Sequence, residues 1–343
     1  MRLSGISASG PKFILWSLVV AAWCGALFLA GQAPQPDGAG VVPGVLPKSW
    51  PTGGPRCMEQ PEWRVHEYNE DFYILRESGC VHYEKPFLYL IFGNEKAMLM
   101  DTGAGTTDLA PFVDSLVARW LARKKRSDIQ LMVMHSHGHR DHVARDSQFR
   151  NRPGIEFIPA EIDAVKTAFG IGKWPEEIGK IDLGGRVLDI VPVPGHHPVA
   201  VALYDRRTAV FMSGDNVYPG RLYITDWDAF VKSTQRMVDF TQGRIVSHVL
   251  GCHIEQTGTP YLEFPIGSIF QPREHVLELS RGQLLELNEA LIALKGVPTR
   301  LALRDMTIYP LDDKVLQEMR KTREEVETQQ RKTQWSQPTG PAE

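Results

Sequence analysis

The chain has 343 residues, 43% of them hydrophobic, enough for one large core or two small ones. Its 38 basic and 41 acidic side chains leave a formal net charge of -3. A nearly neutral chain presents no basic face to a phosphate backbone, so nucleic acid is set aside as a partner and a small-molecule substrate is expected.

Arg2 and Lys12 precede an apolar run from Phe13 to Ala30, the pattern of a secretory leader or a signal anchor. The run is long for a leader and near the lower limit for crossing a bilayer. No clean Ala-x-Ala cleavage site follows it, because Gly31-Gln32-Ala33 runs into Pro34. Residues 1–31 are therefore expected to be a signal peptide or an N-terminal signal anchor. The protein is then exported, periplasmic or extracellular, and either released or held to a membrane through residues 13–30. Cys24 follows Trp23, so the small residue that a lipoprotein box needs is missing. Residues 32–61 are rich in proline and glycine, as in Pro51-Thr52-Gly53-Gly54-Pro55, and read as an extended tether. Cys57 and Cys80 pair in an oxidising compartment or stay as two free thiols, and both readings remain open here.

A catalytic domain is expected over residues 62–311. It begins with strand-like Phe72 to Leu75 and a hairpin over Leu90 to Gly103, followed by a helix from Asp108 to Lys124 with apolar residues at helical spacing. The buried run Asp128 to Met134 is the next strand. Ile155 to Ile158 is strand-like and Glu161 to Ala168 helical, and Val187 to Val193, Val199 to Tyr204 and Thr208 to Met212 are strands. A helix over Trp227 to Phe240, a strand ending at Leu250 and an apolar-striped helix from Gln283 to Leu294 complete the series. This mixture fits layers of helix covering sheet on both sides. Residues 312–343 form a charged tail with only a thin stripe of Leu316, Met319 and Val326, which reads as a solvated helix or frayed end.

The stretch His137-Gly138-His139-Arg140-Asp141-His142 follows the buried strand and packs three imidazoles and a carboxylate onto one tight loop. Imidazole suits zinc, and a mixed set of His and Asp allows two first-row ions side by side. These residues resemble the H-x-H-x-D-H signature of the metallo-β-lactamase superfamily. Val193-Pro194-Gly195-His196 is similar to its Pro-Gly-His turn, Phe211 to Asp215 to its strand ending in Gly-Asp, and Val249 to His253 to its last ligand strand. The hairpin ending in Asp101-Thr102-Gly103 completes the set, with all members in the family's order.

The resemblance implies a four-layer αββα sandwich of the α/β class. It assigns His137, His139 and His196 to one metal, and Asp141, His142 and His253 to a second, with Asp215 bridging. It places Asp101 behind the ligand loop, where a carboxylate fixes ligand geometry. It implies two Zn2+ ions, with iron or a mixed iron and zinc pair as the alternative. The chemistry implied is hydrolysis of an ester, thioester or lactone by a hydroxide held between the ions, with Asp141 carrying a proton to the leaving group. Tyr218 resembles a lactonase tyrosine whose hydroxyl meets the substrate carbonyl; packing under the loop is the other reading. Other readings on the same scaffold are a β-lactam hydrolase, a mononuclear iron enzyme like persulfide dioxygenase, and a non-catalytic metal-binding protein.

His197 departs from the family's turn, which has threonine there; His196 is taken as the ligand because it directly follows Pro-Gly. His66, His82 and His248 are expected to be packed or surface imidazoles, His135 to support the ligands from behind, and His275 to lie on a connection near the pocket. Cys252 is expected to pack inward rather than bind metal.

Overall fold

In the computed structural model, which describes residues 40–51, 56, 57 and 60–334, the apolar runs become two six-stranded sheets laid face to face. The first takes the order β1-β2-β3-β4-β5-β6, from β1 (Trp63–Asn69), β2 (Phe72–Glu77), β3 (Phe87–Phe92), β4 (Lys96–Met100), β5 (Gln130–Met134) and β6 (Ile155–Phe157). The second runs β13-β12-β10-β9-β8-β7 through β13 (Glu278–Leu279), β12 (His248–Gly251), β10 (Val210–Gly214), β9 (Val201–Asp205), β8 (Val187–Pro192) and β7 (Gly179–Asp182). A small third sheet joins β11 (Arg221–Ile224) to β15 (Thr307–Pro310) and β14 (Leu301–Ala302).

Side chains alternate across each strand, so a strand covered on both faces must be apolar throughout. Ile74, Tyr89, Ile91, Met98, Met100, Met132 and Met134 of the first sheet meet Leu188, Ile190, Leu203 and Met212 of the second in a shared buried layer. The opposite face of the first sheet, with Tyr73, Leu88, Leu90 and Val133, packs on Val113, Leu116 and Trp120 of α1 (Ala110–Lys124). The opposite face of the second, with Ala202, Phe211 and Val249, packs on α4 (Trp227–Thr241) and α5 (Arg281–Ala293) through Phe230, Met237, Leu284 and Leu287. Helix, sheet, sheet and helix follow one another, which is the expected αββα order.

Most neighbouring strands are antiparallel, but β4 and β5, β5 and β6, β10 and β12, and β11 and β15 are parallel. Parallel pairing needs a crossover, and α1 and α4 supply two of them. Ligand loops gather at the carboxyl ends of such strands. Here those ends lead to Asp101 after β4, the 137–142 loop after β5, Asp215 after β10 and His253 after β12. The short α2 (Arg140–Val143) sits inside the 137–142 loop, and α3 (Ile162–Phe169) packs Val165 and Phe169 against the shared layer.

Two expectations change. Residues 40–51 have no repeating pattern of their own, yet they lie on the domain: Val42 and Val45 donate backbone bonds to the carbonyls of Arg207 and Tyr68, and Trp50 is buried against Phe87. A proline-rich chain stays extended, and extended chain can dock as well as hang free. The charged tail contains the helix α6 (Asp313–Gln334), whose residues Leu316, Met319, Val326 and Gln330 are half-buried rather than solvated. The apolar run Phe13–Ala30 lies outside the described residues. Among those described, no helix is long and apolar enough to cross a membrane.

Candidate metal centre

The Pro-Gly-His turn depends on its glycine. Gly195 has φ +138, and a Cβ there would come within 2.4 Å of the Phe230 backbone at the start of α4. Its carbonyl accepts from the N–H groups of Thr225 and Asp226, locking the turn to the helix N-terminus. Asp101 also adopts left-handed backbone, with φ +73, which aims its fully buried carboxylate at the ligand loop. It accepts from the N–H of Ser136 at 2.7 Å, from the Ser136 hydroxyl at 2.8 Å and from Nδ1 of His142 at 2.9 Å.

The predicted ligands come together as two groups. In the first, Nε2 of His137, Nδ1 of His139 and Nε2 of His196 are 2.9 to 3.2 Å apart. In the second, Nε2 of His142 and Nε2 of His253 are 3.3 Å apart, and each lies 3.1 Å from Oδ2 of Asp141. Oδ2 of Asp215 reaches both groups, at 3.8 and 3.5 Å from His137 and His196 and at 3.4 and 3.3 Å from His142 and His253. One carboxylate oxygen thus lies between the two groups.

These spacings suit a small cation. A tetrahedral zinc with Zn–N bonds of about 2.0–2.1 Å needs donor atoms roughly 3.3 Å apart. In four of the five imidazoles the other nitrogen is also engaged, as a ligand requires. His196 Nδ1 donates to the Tyr223 carbonyl at 2.7 Å, His253 Nδ1 to the Glu84 carbonyl at 3.0 Å, and His142 Nδ1 to Asp101. His137 Nδ1 faces the Ser136 hydroxyl at 3.0 Å.

Charge tells the same story. Burial pushes His137 well below the ordinary imidazole range and His196 to about 4, keeping both neutral with a lone pair free. In the second group burial opposes protonation of His142 and His253, but the carboxylates around them outweigh it and push both well up. Burial works against the Asp215 carboxylate, yet the imidazoles of His253, His142 and His137 hold it well below the usual range. Its Oδ1 is buried with no hydrogen-bond partner. A buried carboxylate oxygen left without a partner, beside imidazoles that the surrounding carboxylates draw toward the cationic form, marks a place that calls for positive charge, which a bound cation would supply.

His197 stays outside both groups, with its ring 4.8 Å from that of His139 and Nδ1 accepting from the Val199 N–H. His135 bonds Asp146 and the Ile158 carbonyl behind the ligand strand. His275 bonds Asp305, and His66 and His248 pack edge-on against Trp50 and Tyr68. His82 is the exception among these imidazoles, because it lines the cleft over the ligands. Cys252 is buried beside Asp101, and burial holds its thiol protonated. Cys57 and Cys80 are joined in a disulfide.

Tyr218 lines the cleft over the ligands, but its hydroxyl turns to the protein. The side chain is 1% exposed, its hydroxyl donates to the Arg221 carbonyl, and Glu255 lies 3.3 Å away. In this arrangement the hydroxyl proton is engaged by the Arg221 carbonyl.

Several site residues carried no sequence signal. Glu84 and Tyr223 act through backbone carbonyls, which any residue could supply. Glu77 and Arg145 form a buried ion pair at 2.6 Å, and Glu77 also accepts from the N–H groups of Ala104 and Gly105 behind Asp101. Glu255 accepts from the Tyr223 hydroxyl at 3.0 Å and the Arg221 N–H at 2.9 Å. Above the ligands opens a cleft of about 940 Å³, lined by residues 81–85, by Arg140, Asp141 and Glu255, and by α6.

The acyl-coenzyme A thioesterase MBLAC2 of Bos taurus is 24% identical over 243 residues, covering 60% of this chain and 86% of that protein. The MBLAC2 of Homo sapiens matches with the same identity and coverage. Among solved structures, the metallo-beta-lactamase from Pontibacter korlensis aligns at 17% identity and a TM-score of 0.46, over 67% of this chain and 99% of that one. The sequence model of the metallo-beta-lactamase superfamily matches residues 86–292, more than half of the chain, and this protein belongs to that superfamily.

Proposed function

We propose that this chain is an exported, dinuclear zinc hydrolase that cleaves thioesters, with esters and lactones as further substrates. The observation that carries the reading is Oδ2 of Asp215 facing imidazoles of both ligand groups. His137, His139 and His196 would hold one ion and Asp141, His142 and His253 the other, with Asp215 between them. Zinc bound there supplies an acidified water and a Lewis acid for the scissile carbonyl. The thioester preference is supported by relatives named acyl-coenzyme A thioesterases. Export is supported by the leader-like N-terminus and by a disulfide, which persists in oxidising compartments.

The chain's own residues set the stage for the reaction. Asp101, Tyr223 and Glu84 fix the three imidazoles whose nitrogens would otherwise rotate away. Asp141 lines the cleft, and we assign it the proton transfer: the water oxygen bonds to the carbonyl carbon, the carbon–sulfur bond breaks, and the water proton passes through the Asp141 carboxyl to the departing sulfur.

Metal analysis of the full chain together with a substrate panel tests this reading. Two zinc ions per chain are expected, with turnover of an acyl thioester exceeding that of a β-lactam. Saturation by one metal ion, unchanged by Asp215→Ala, overturns the dinuclear site, and fastest turnover of the β-lactam overturns the substrate class.

A further inference from the structure

The ligands all lie within residues 86–292, the part that matches the superfamily, but two walls of the cleft do not. One is the 81–85 segment that follows the disulfide-bonded Cys80. The other is α6. Its half-buried residues recur at helical spacing, and Leu316, Met319, Arg323 and Glu327 face the cleft.

This helix is seated, not merely adjacent. Oε1 of Gln330 accepts from the backbone N–H groups of Ile269 and Phe270, at 2.5 and 3.3 Å. Gly267 has φ +89, and a Cβ there would come within 2.7 Å of the Arg323 carbonyl, so glycine is what lets the α6 backbone approach. The Arg323 guanidinium lies 5.6 Å from the centre of the Tyr83 ring, tying α6 to the other wall. Tyr83 in turn donates to Glu84, the residue whose carbonyl holds His253.

Between the charged Asp313 at its start and Arg323, Glu324 and Glu327 farther along, α6 offers the cleft one apolar pair. Leu316 and Met319 stand with Leu311, Ile254, Pro265 and Ile266 along the same cavity that opens onto His139, Asp141, Asp215 and His253. The outward side of the helix carries exposed Glu318, Arg320, Lys321 and Glu325. Leucine and methionine held half-exposed beside a metal centre stay wet unless a substrate covers them, and only an apolar substituent gains by doing so.

We propose that α6 forms an acyl-chain slot, with Leu316 and Met319 covering the hydrocarbon tail of the substrate whose carbonyl lies at the ligand cluster. The slot rests on the hydrolase reading for its orientation. It makes the protein select its substrate by chain length on the acyl side. Each methylene fully covered is worth roughly fourfold in affinity, so even partial cover across a long chain gives strong discrimination.

The test measures binding apart from turnover. Calorimetry of the zinc-loaded full chain with dodecanoate and butyrate, both below micellar concentration, is run on wild type, Leu316→Asn and Met319→Gln. Both positions lie on the surface of one helix, and melting temperatures verify that each variant folds. Dodecanoate should bind wild type at least about 100-fold more tightly than butyrate. Each variant should cut that ratio by about tenfold or more while leaving butyrate within twofold. A ratio unchanged in both variants, or no preference in wild type, overturns the slot. Discrimination by chain length with no turnover of any thioester sinks the proposed reaction and leaves the slot standing. Turnover that is flat from butyryl to dodecanoyl thioesters does the reverse.

Discussion

Asp101→Asn isolates the support behind the second ligand group. Asparagine keeps the shape and tolerates the left-handed backbone at φ +73, and its carbonyl can still accept from the Ser136 N–H. The amide nitrogen then replaces the oxygen that accepts from Nδ1 of His142 at 2.9 Å. Two donors face one another, so His142 must move its proton to Nε2 or turn its ring. Either response removes the lone pair aimed at Asp141, Asp215 and His253. Loss of such an outer hydrogen bond typically costs about 10- to 100-fold in metal affinity, or roughly 1.4 to 2.7 kcal/mol. The first group does not touch the exchanged oxygen directly, so it should hold its ion. Zinc content measured after dialysis against a graded chelator should fall from two ions per chain to one in the variant, at chelator levels that wild type withstands. Circular dichroism should show the same fold. If the variant keeps both ions at every chelator level, the orienting role of Asp101 is wrong.

Trp50→Ala should lower stability by about 3 kcal/mol, because an aromatic 5% exposed is removed from the core and the Arg76 bond to that backbone loses its shelter; a denaturant midpoint equal to wild type would return residues 40–51 to a free tether. Tyr218→Phe should leave kcat within about threefold and cost about 1 kcal/mol of stability, since its hydroxyl serves the Arg221 carbonyl; a hundredfold loss of kcat would restore the hydroxyl to the reaction. Lys85 is buried, and desolvation followed by repulsion from Arg76 pushes its ammonium down to about 7. Its folded pKa therefore lies below its unfolded one, so the folded state carries a penalty that is full below pH 7 and fades as pH rises toward 10. The melting temperature of Lys85→Met relative to wild type should accordingly drop between pH 7 and 10, and a flat difference would refute the assignment.

The cluster of candidate ligands was legible because its chemistry is local. Three imidazoles and a carboxylate on one loop, a glycine before His196 and an aspartate ending a strand each occupy a few consecutive positions. The long strands were legible for a related reason: burial on both faces leaves continuous apolar runs such as those of β3 and β5. By contrast β1, with Arg64, His66 and Glu67 breaking its apolar run, and the short β11 and β15 show too little periodicity to stand out. The setting of α6 was illegible because its stripe is thin and its partners, Tyr83 and the 265–271 segment, lie far away in sequence. The disulfide was undecidable for the same reason: spacing along the chain does not report distance across it.

His137, His139, Asp141 and His142 hang from the first sheet, whereas His196, Asp215 and His253 hang from the second. The gap between the two half-sets is therefore set by the thickness of the apolar layer between the sheets, built from residues such as Met98, Met132, Leu203 and Met212. A side chain in that layer acts as a shim between two jaws. Shortening Met132, one of the side chains packed in that layer, should loosen a bound metal before it unfolds the chain, so that metal affinity would report on core packing.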